Sequence, residues 1–522
     1  MLSRPARALH RAAVPAVLVA TVVGLSGCTG GGGGSGSAGT STAAGASASG
    51  PVRPTVQAPA DAVLVLDDGS PEALARATSA ALFVTAPVVV VAPADDADAA
   101  RQAAEQGERL HAPVLLSPGT PAGTAGAPAL ADEVHRLKAR TVLVVGTTGR
   151  AAGVPDDVAV ATRLRDVPVP QAPAAPSGLT VLVPASPDPS AAVAIEAASG
   201  TARAAGASIV PVRGGDPRAD PDAIAALAQH RPDHVVALGA QFGPADRLTA
   251  RIATAGTGAQ LPGGGQVFFP GRRLVALYGH PGTAGLGALG QQDLPASIAR
   301  ARSVAAEYQP LSDVPVVPTF ELIATTAQGA PGKDGDYSGE SSIDEIRPWV
   351  EEAGRQGLYV VLDLQPGRAD LLDQAKLYQP LLELPYVGLG LDPEWKLGPG
   401  QVPLAQIGSV DVSEVNDVTH WLSDFTAERH LPQKLLVVHQ FRLSMIRDEQ
   451  ALDTSSDQVA VLVHMDGQGP VPVKQGTWAA VTGVVPPGTP LGWKNFYVKD
   501  PRTMTPAETM AEQPAPLMIS YQ

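Results

Sequence analysis

From residue 61 onward, short apolar runs alternate with segments whose apolar positions recur three and four residues apart. Ala62–Leu66, Pro87–Val91, Val114–Leu116 and Thr141–Val145 are the runs; Pro71–Leu82, Asp95–Leu110 and Ala129–Leu137 carry the helical spacing. Continuous Val-rich runs predict strands buried on both faces, hence a parallel sheet covered by helices. A second set follows: Leu179–Val183, a helix over 190–205, Ser208–Val212, a helix over 221–229, and His234–Leu238. The pattern leaves open whether 61–254 is one layered domain or two lobes, 61–150 and 178–254. Residues 151–178, rich in Pro and Ala, read as a connection. Residues 255–272, with Gly263-Gly264-Gly265, read as a second linker.

The same rhythm continues over 273–522. The expected strands are Leu274–Tyr278, Val316–Ile323, Tyr359–Leu364, Val387–Leu391, Leu435–Gln440, Val459–His464, either Trp478–Val481 or Trp493–Tyr497, and Leu517–Tyr521. Eight strands with helices between them, over about 250 residues, match a (β/α)8 barrel whose last strand pairs with its first. An open doubly wound sheet is the alternative. The expected fold class is therefore α/β: Rossmann-like parallel-sheet modules followed by a TIM-barrel-like domain.

The N-terminus follows a different pattern. Arg4, Arg7 and Arg11 precede an apolar run, Ala12–Leu25, and then Leu25-Ser26-Gly27-Cys28. A basic start, an apolar middle and small residues at the end make a secretory signal over 1–27. The run is shorter than the roughly 20 residues a bilayer span needs. Cys28 is the only cysteine in the chain, so no internal disulfide is available. The tetrapeptide resembles a bacterial lipobox. That resemblance implies cleavage before Cys28, lipidation of its thiol, and an anchor on the outer face of the cytoplasmic membrane, facing the cell wall. Residues 28–60, mostly Gly, Ser, Ala and Thr, predict a flexible tether. The net charge is −14, or −17 once Arg4, Arg7 and Arg11 are removed with the signal. An acidic chain without basic clusters argues against nucleic acid as a partner. The Ala-, Gly- and Pro-rich composition is of actinobacterial type.

Three pieces of residues 61–146 resemble the cell wall-binding repeat 2 family. They are Asp61–Leu66 followed by Pro71-Glu72-Ala73-Leu74-Ala75, then Ala112–Ser117, then Arg140–Gly146. Glu72 stands where the family usually has Asp, and a single fair copy replaces the usual tandem array. The resemblance implies a cell-wall polysaccharide or peptidoglycan partner and assigns no ligand-binding residue. The barrel segment resembles uncharacterised extracellular domains of actinobacterial lipoproteins, which implies a location and no reaction.

Barrel enzymes place their chemistry at the C-terminal ends of the strands, and polar residues cluster at those ends here. Asp392, Glu394, Glu321 and Asp466 are the candidate catalytic acids. Tyr278, His280, Asp363, Trp395, His439, Gln440, His464 and Trp493 are candidate substrate-binding residues, with Gln365, Arg442, Lys494 and Asn495 nearby. Asp392-Pro393-Glu394-Trp395 is the strongest local feature. Paired carboxyls suit glycoside cleavage, one protonating the leaving oxygen while the other attacks or activates water, and Trp stacks on sugar faces. The competing reading of each residue is a helix cap or a structural ion pair. As a whole, the chain reads as a lipid-anchored wall-binding protein whose barrel acts on a glycan. The alternative is a non-catalytic envelope scaffold, whose acids should lie apart and pair with Lys or Arg.

No motif calls for a cofactor. Asp363, Asp392, His439 and His464 form a weak candidate metal ring, since the barrel segment holds no His-x-His or His-x-x-x-His. Asp334-Gly335-Asp336-Tyr337-Ser338 lacks EF-hand spacing. Gly285–Gly290 matches the dinucleotide fingerprint in letters but lacks its strand and acidic residue. Asp67-Asp68-Gly69 reads as a turn, and Ser444 lacks a nucleophile elbow.

Overall fold

The computed structural model describes residues 53–118 and 127–522. The expected signal, Cys28 and the tether through residue 52 lie outside the described residues. The tether's expected end does not stay free. Thr55–Val56 pairs antiparallel with Phe83–Thr85, and the Gln57 amide donates to the Leu82 carbonyl (2.9 Å).

Two four-stranded parallel sheets make up the N-terminal half. One orders Val63–Leu66, His234–Leu238, Leu179–Pro184 and Ser208–Val212. The other orders Val114–Ser117, Val88–Pro93, Thr141–Val144 and Ala159–Ala161. Val63–Leu66 thus pairs with His234–Leu238, some 170 residues later, and the division at 150/178 does not follow the sheets. The helices between them are cut for close approach. A Cβ at Gly200, in Ala192–Ala204, would stand 2.6 Å from Cα of Ala104 in Ala97–Leu110. Thr201 of the first helix accepts from the Val114 amide (2.9 Å). Val89, Leu115 and Val142 from one sheet and Val181, Val236 and Leu238 from the other share one apolar core, so this half is one layered body. Helix starts follow local chemistry: Ser70 accepts from the Ala73 amide ahead of Pro71, and Asp96 accepts from the Ala99 amide.

The C-terminal half is a closed barrel of eight parallel strands: β1 (Arg273–Gly279), β2 (Val316–Ala327), β3 (Tyr359–Leu364), β4 (Val387–Leu391), β5 (Lys434–Gln440), β6 (Val459–Met465), β7 (Leu491–Asn495) and β8 (Met518–Tyr521). Leu274–Leu277 of β1 pair with Met518–Tyr521 of β8, closing the ring. Of the two candidates for the seventh strand, the one containing Trp493 is used. Trp478–Val481 lies in the helix Val471–Thr482.

The segment read as a second linker is packed against the barrel. Leu261 and Phe268 join the interior cluster of Leu274, Val317, Tyr359 and Leu435, and the Phe268 ring meets Tyr359 edge-on at 5.0 Å. Arg272 turns back to the carbonyls of Pro262, Gly264 and Val267. A charged clasp joins the halves. Asp457, before β6, accepts from Arg247 (2.7 Å) and Arg251 (3.0 Å), and its carbonyl accepts from Arg218 (2.9 Å). Burial pushes the Asp457 carboxyl up, but the arginines hold it well below the usual carboxylate range.

Asp457→Asn leaves Arg218 and Arg251, both largely buried, without that counter-charge. It should cost about 2–4 kcal/mol in urea unfolding at pH 7. A depressed folded pKa gives stability that is present above the unfolded value of about 3.9 and lost as pH falls through the folded value. The gap between variant and native protein should therefore close only below about pH 4. A gap that is constant down to pH 2 would contradict this account.

Candidate active site at the barrel mouth

Alternation along each strand decides which side chains enter the barrel. On β5, Leu435 and Val437 point into the interior cluster, while Leu436 and Val438 face the helices. The same parity turns His439 inward and Gln440 outward. On β7, Gly492 and Lys494 turn inward, and Trp493 and Asn495 outward. Glu321, Asp363, His464 and Asp466 follow the inward parity of Val317, Val361 and Leu462. Inward glycines make room for this polar filling: a Cβ at Gly492 would lie 2.3 Å from the His464 ring.

This parity corrects two of the expected binding residues, Trp493 and Gln440, and a third, His280, does not line the cavity at the barrel mouth. Trp493 is wholly buried, edge-on to Trp478 at 5.5 Å, with its indole N–H given to Asn495 (3.0 Å). It offers no face to a sugar. Gln440 donates to Glu449 (2.7 Å) behind the barrel wall. His280 sits in the loop after β1, its Nε2 2.9 Å from Ser341 Oγ and its Nδ1 accepting from the Gly282 amide.

Asp363, His439 and His464, with the candidate acid Glu321, form a buried polar floor beneath Asp466. His439 Nε2 lies 3.0 Å from Glu321 and 3.5 Å from Asp363, and its Nδ1 lies 3.3 Å from Asp466. These are ion contacts by distance; none is aligned as a hydrogen bond. Burial disfavours the imidazolium, but Glu321 above all, then Asp466 and Asp363, hold the His439 pKa well above its ordinary value. Burial likewise opposes the Glu321 carboxylate, yet His439, His464 and Lys494 bring it down to about 2. His464, 3.2 Å from Ser520 Oγ, is pushed down to about 3 by burial and by its cationic neighbours His439 and Lys494, against the pull of Glu321. Asp363 accepts from Tyr278 Oη (2.8 Å) and stays raised through burial and the nearby Glu321 charge.

Above this floor opens a cavity of about 300 Å³. Tyr278, Asp392, Glu394, Trp395 and Asp466 line it, together with Gln365, Phe441, Lys494, Phe496 and Lys499. Glu321, placed among the catalytic acids by sequence, lies in the floor and not in the wall. Pro393–Trp395 forms a 3-10 turn in which Asp392 caps nothing with its side chain, so the helix-cap reading of Asp392 fails. Burial and the Glu394 charge push Asp392 well above its ordinary value. Burial and the Asp466 charge push Glu394 up to about 7. Asp466 goes the other way: burial opposes its charge, but contact with His439 and the cations around it lower its pKa.

Lys494, Phe441, Phe496 and Lys499 gain their places from strand register and loop closure. Of these, the sequence pointed only to Lys494, near the end of the expected seventh strand, without giving its direction. The fingerprint-like Gly285–Gly290 packs over the end of β1, where a Cβ at Gly287 would stand 2.5 Å from the Tyr278 carbonyl. Among the described residues, no group of three or more His, Cys, Asp or Glu is arranged to hold a metal, and no helix is long and apolar enough to cross a membrane. No protein-family model matches the chain, and no curated protein matches it in sequence.

The two floor histidines should titrate in opposite senses. In imidazole NMR spectra, His439 should titrate well above an ordinary histidine and His464 should be neutral at pH 5. A raised folded pKa gives stability that is complete below about 6.5 and lost as pH rises through the folded value. A neutral His439 at pH 7 would contradict the ion contacts.

Proposed function

We propose that the barrel hydrolyses a glycan, and that Glu394 is its general acid and Asp466 its partner carboxylate. The observation that carries this is a pair of carboxyls in one cavity wall whose surroundings drive their pKa values apart, one to about 7 and one below the usual range. In the reaction, protonated Glu394 gives its proton to the glycosidic oxygen as the bond to the anomeric carbon breaks. The Asp466 carboxylate attacks that carbon or takes a proton from the attacking water. Trp395 in the wall supplies an apolar surface for a sugar ring. The scaffold alternative calls for acids spread apart and paired with Lys or Arg. Here they converge, and the close ion partner of Glu321, Asp363 and Asp466 is a single histidine.

In this reading the chain is a lipoprotein held through Cys28 outside the cytoplasm, and its N-terminal half holds cell-wall polymer. The lipobox-like tetrapeptide and the repeat-like pieces of 61–146 support that placement.

The full chain, assayed on peptidoglycan and arabinogalactan fragments, should release new reducing ends. Glu394→Gln and Asp466→Asn should each lower kcat by about 10²-fold or more. Because the acid must be protonated and its partner ionised, kcat/KM should fall as pH rises through about 7 and fall again only in strong acid. Absent turnover, or turnover that both substitutions leave intact, would end this assignment.

A further inference from the structure

We infer that the sugar taken at the barrel mouth carries a carboxylate, and that Lys494 receives it with Lys499 at the rim. This names the substrate class for the glycan reading above and rests on it.

Three lysines are buried among the described residues. Lys434 gives its ammonium to the Leu384 carbonyl (2.6 Å), and Lys474 gives its own to Asp500 (2.5 Å) and to the Lys494 carbonyl (2.8 Å). Lys494 differs. It is 3 % exposed, yet its ammonium donates to no protein acceptor and has no carboxylate within 4 Å. Its close neighbour is the face of Tyr278, 3.5 Å from the ring centre, and it lines the cavity. The ammonium thus borders the cavity against an aromatic face, with its hydrogen-bonding capacity left for whatever enters.

The backbone that carries Lys494 is fixed. Lys474 holds its carbonyl, and Asp500 accepts from the amides of Phe496 (3.0 Å) and Gly469 (2.9 Å). The ammonium is thus presented to the cavity by a rigid frame, as a preorganised charge should be. Lys499 lines the same cavity from the exposed rim and makes no ion pair; both ammonium groups lie 5.5 Å from the Phe496 ring centre. Two unpaired cations therefore meet on one wall of a cavity in a chain of net charge −14.

The acids of the mouth cancel only part of this. Glu321 and Asp466 share the single cation His439, and Asp392 and Glu394 are held towards their neutral forms, so one carboxylate charge stands against the two lysines and one positive charge is left over. A single negative charge matches one buried ammonium, whereas a dianion would also face Asp466. The cavity, at the small end of ligand sites, suits one acidic ring.

The test is calorimetric titration of the full chain with two matched pairs of disaccharides. One pair is cellobiouronic acid and cellobiose. The other is N-acetylglucosaminyl-N-acetylmuramic acid and diacetylchitobiose. The acidic member of at least one pair should bind on the order of tenfold more tightly than its neutral partner. Lys494→Gln should erase that difference. Lys499→Gln, at an exposed position, should reduce it several-fold and serves if the buried substitution does not fold. Equal binding within both pairs, or a preference that survives both substitutions, overturns the inference and leaves the glycan reading standing. If neither member of either pair binds, both fall together.

Discussion

The pairing of the last strand with the first is the constraint on which the barrel depends. While Met518–Tyr521 lie against Leu274–Leu277, every strand has two neighbours and one face turned to a common axis. Side chains that are scattered over two hundred residues of sequence then converge. Tyr278 comes level with Glu321, His439 with His464, and Lys494 with Ser520. Closure also makes the interior small, so polar groups there must satisfy one another or whatever enters.

The electrostatics of the mouth follow from that crowding. A single imidazolium stands among Glu321, Asp363 and Asp466, and it decides which carboxyls keep their charge. Those it touches closely, Glu321 and Asp466, stay ionised. Asp392 and Glu394 lie beyond its contact and near other acids, so burial and like charge prevail and raise their pKa values, that of Glu394 to about 7. Carboxyls with raised and with lowered pKa values thus arise from one arrangement of charges.

Much of the fold was legible in the sequence because buried parallel strands are continuous apolar runs. The seventh strand was ambiguous for a physical reason. Leu491–Asn495 is five residues with Gly492 inside, while Trp478–Val481 is as apolar but belongs to a helix face. Parity was harder to read. His439-Gln440 and Trp493-Lys494 are adjacent pairs of which one member must face inward, and the choice depends on register set elsewhere in the barrel. For that reason Trp493 read as a sugar platform and Lys494 as a bystander. Non-local choices left no local mark. Val63–Leu66 is no different in kind from Val88–Pro93, yet the two join different sheets. Asp457 meets arginines more than two hundred residues away. In the supposed linker, the Gly263-Gly264-Gly265 turn signal masked the meaning of the apolar residues beside it, Leu261 and Phe268.

Phe268 has a consequence for traffic through the barrel. With its ring against Tyr359 and inside the Leu274, Val317 and Leu435 cluster, the end of the barrel away from the acids is stoppered by the chain's own connecting segment. The interior is a blind well, with no through-passage along its axis. The cavity that holds Glu394 and Asp466 therefore has its opening at the opposite end, where Trp395 and Lys499 line it.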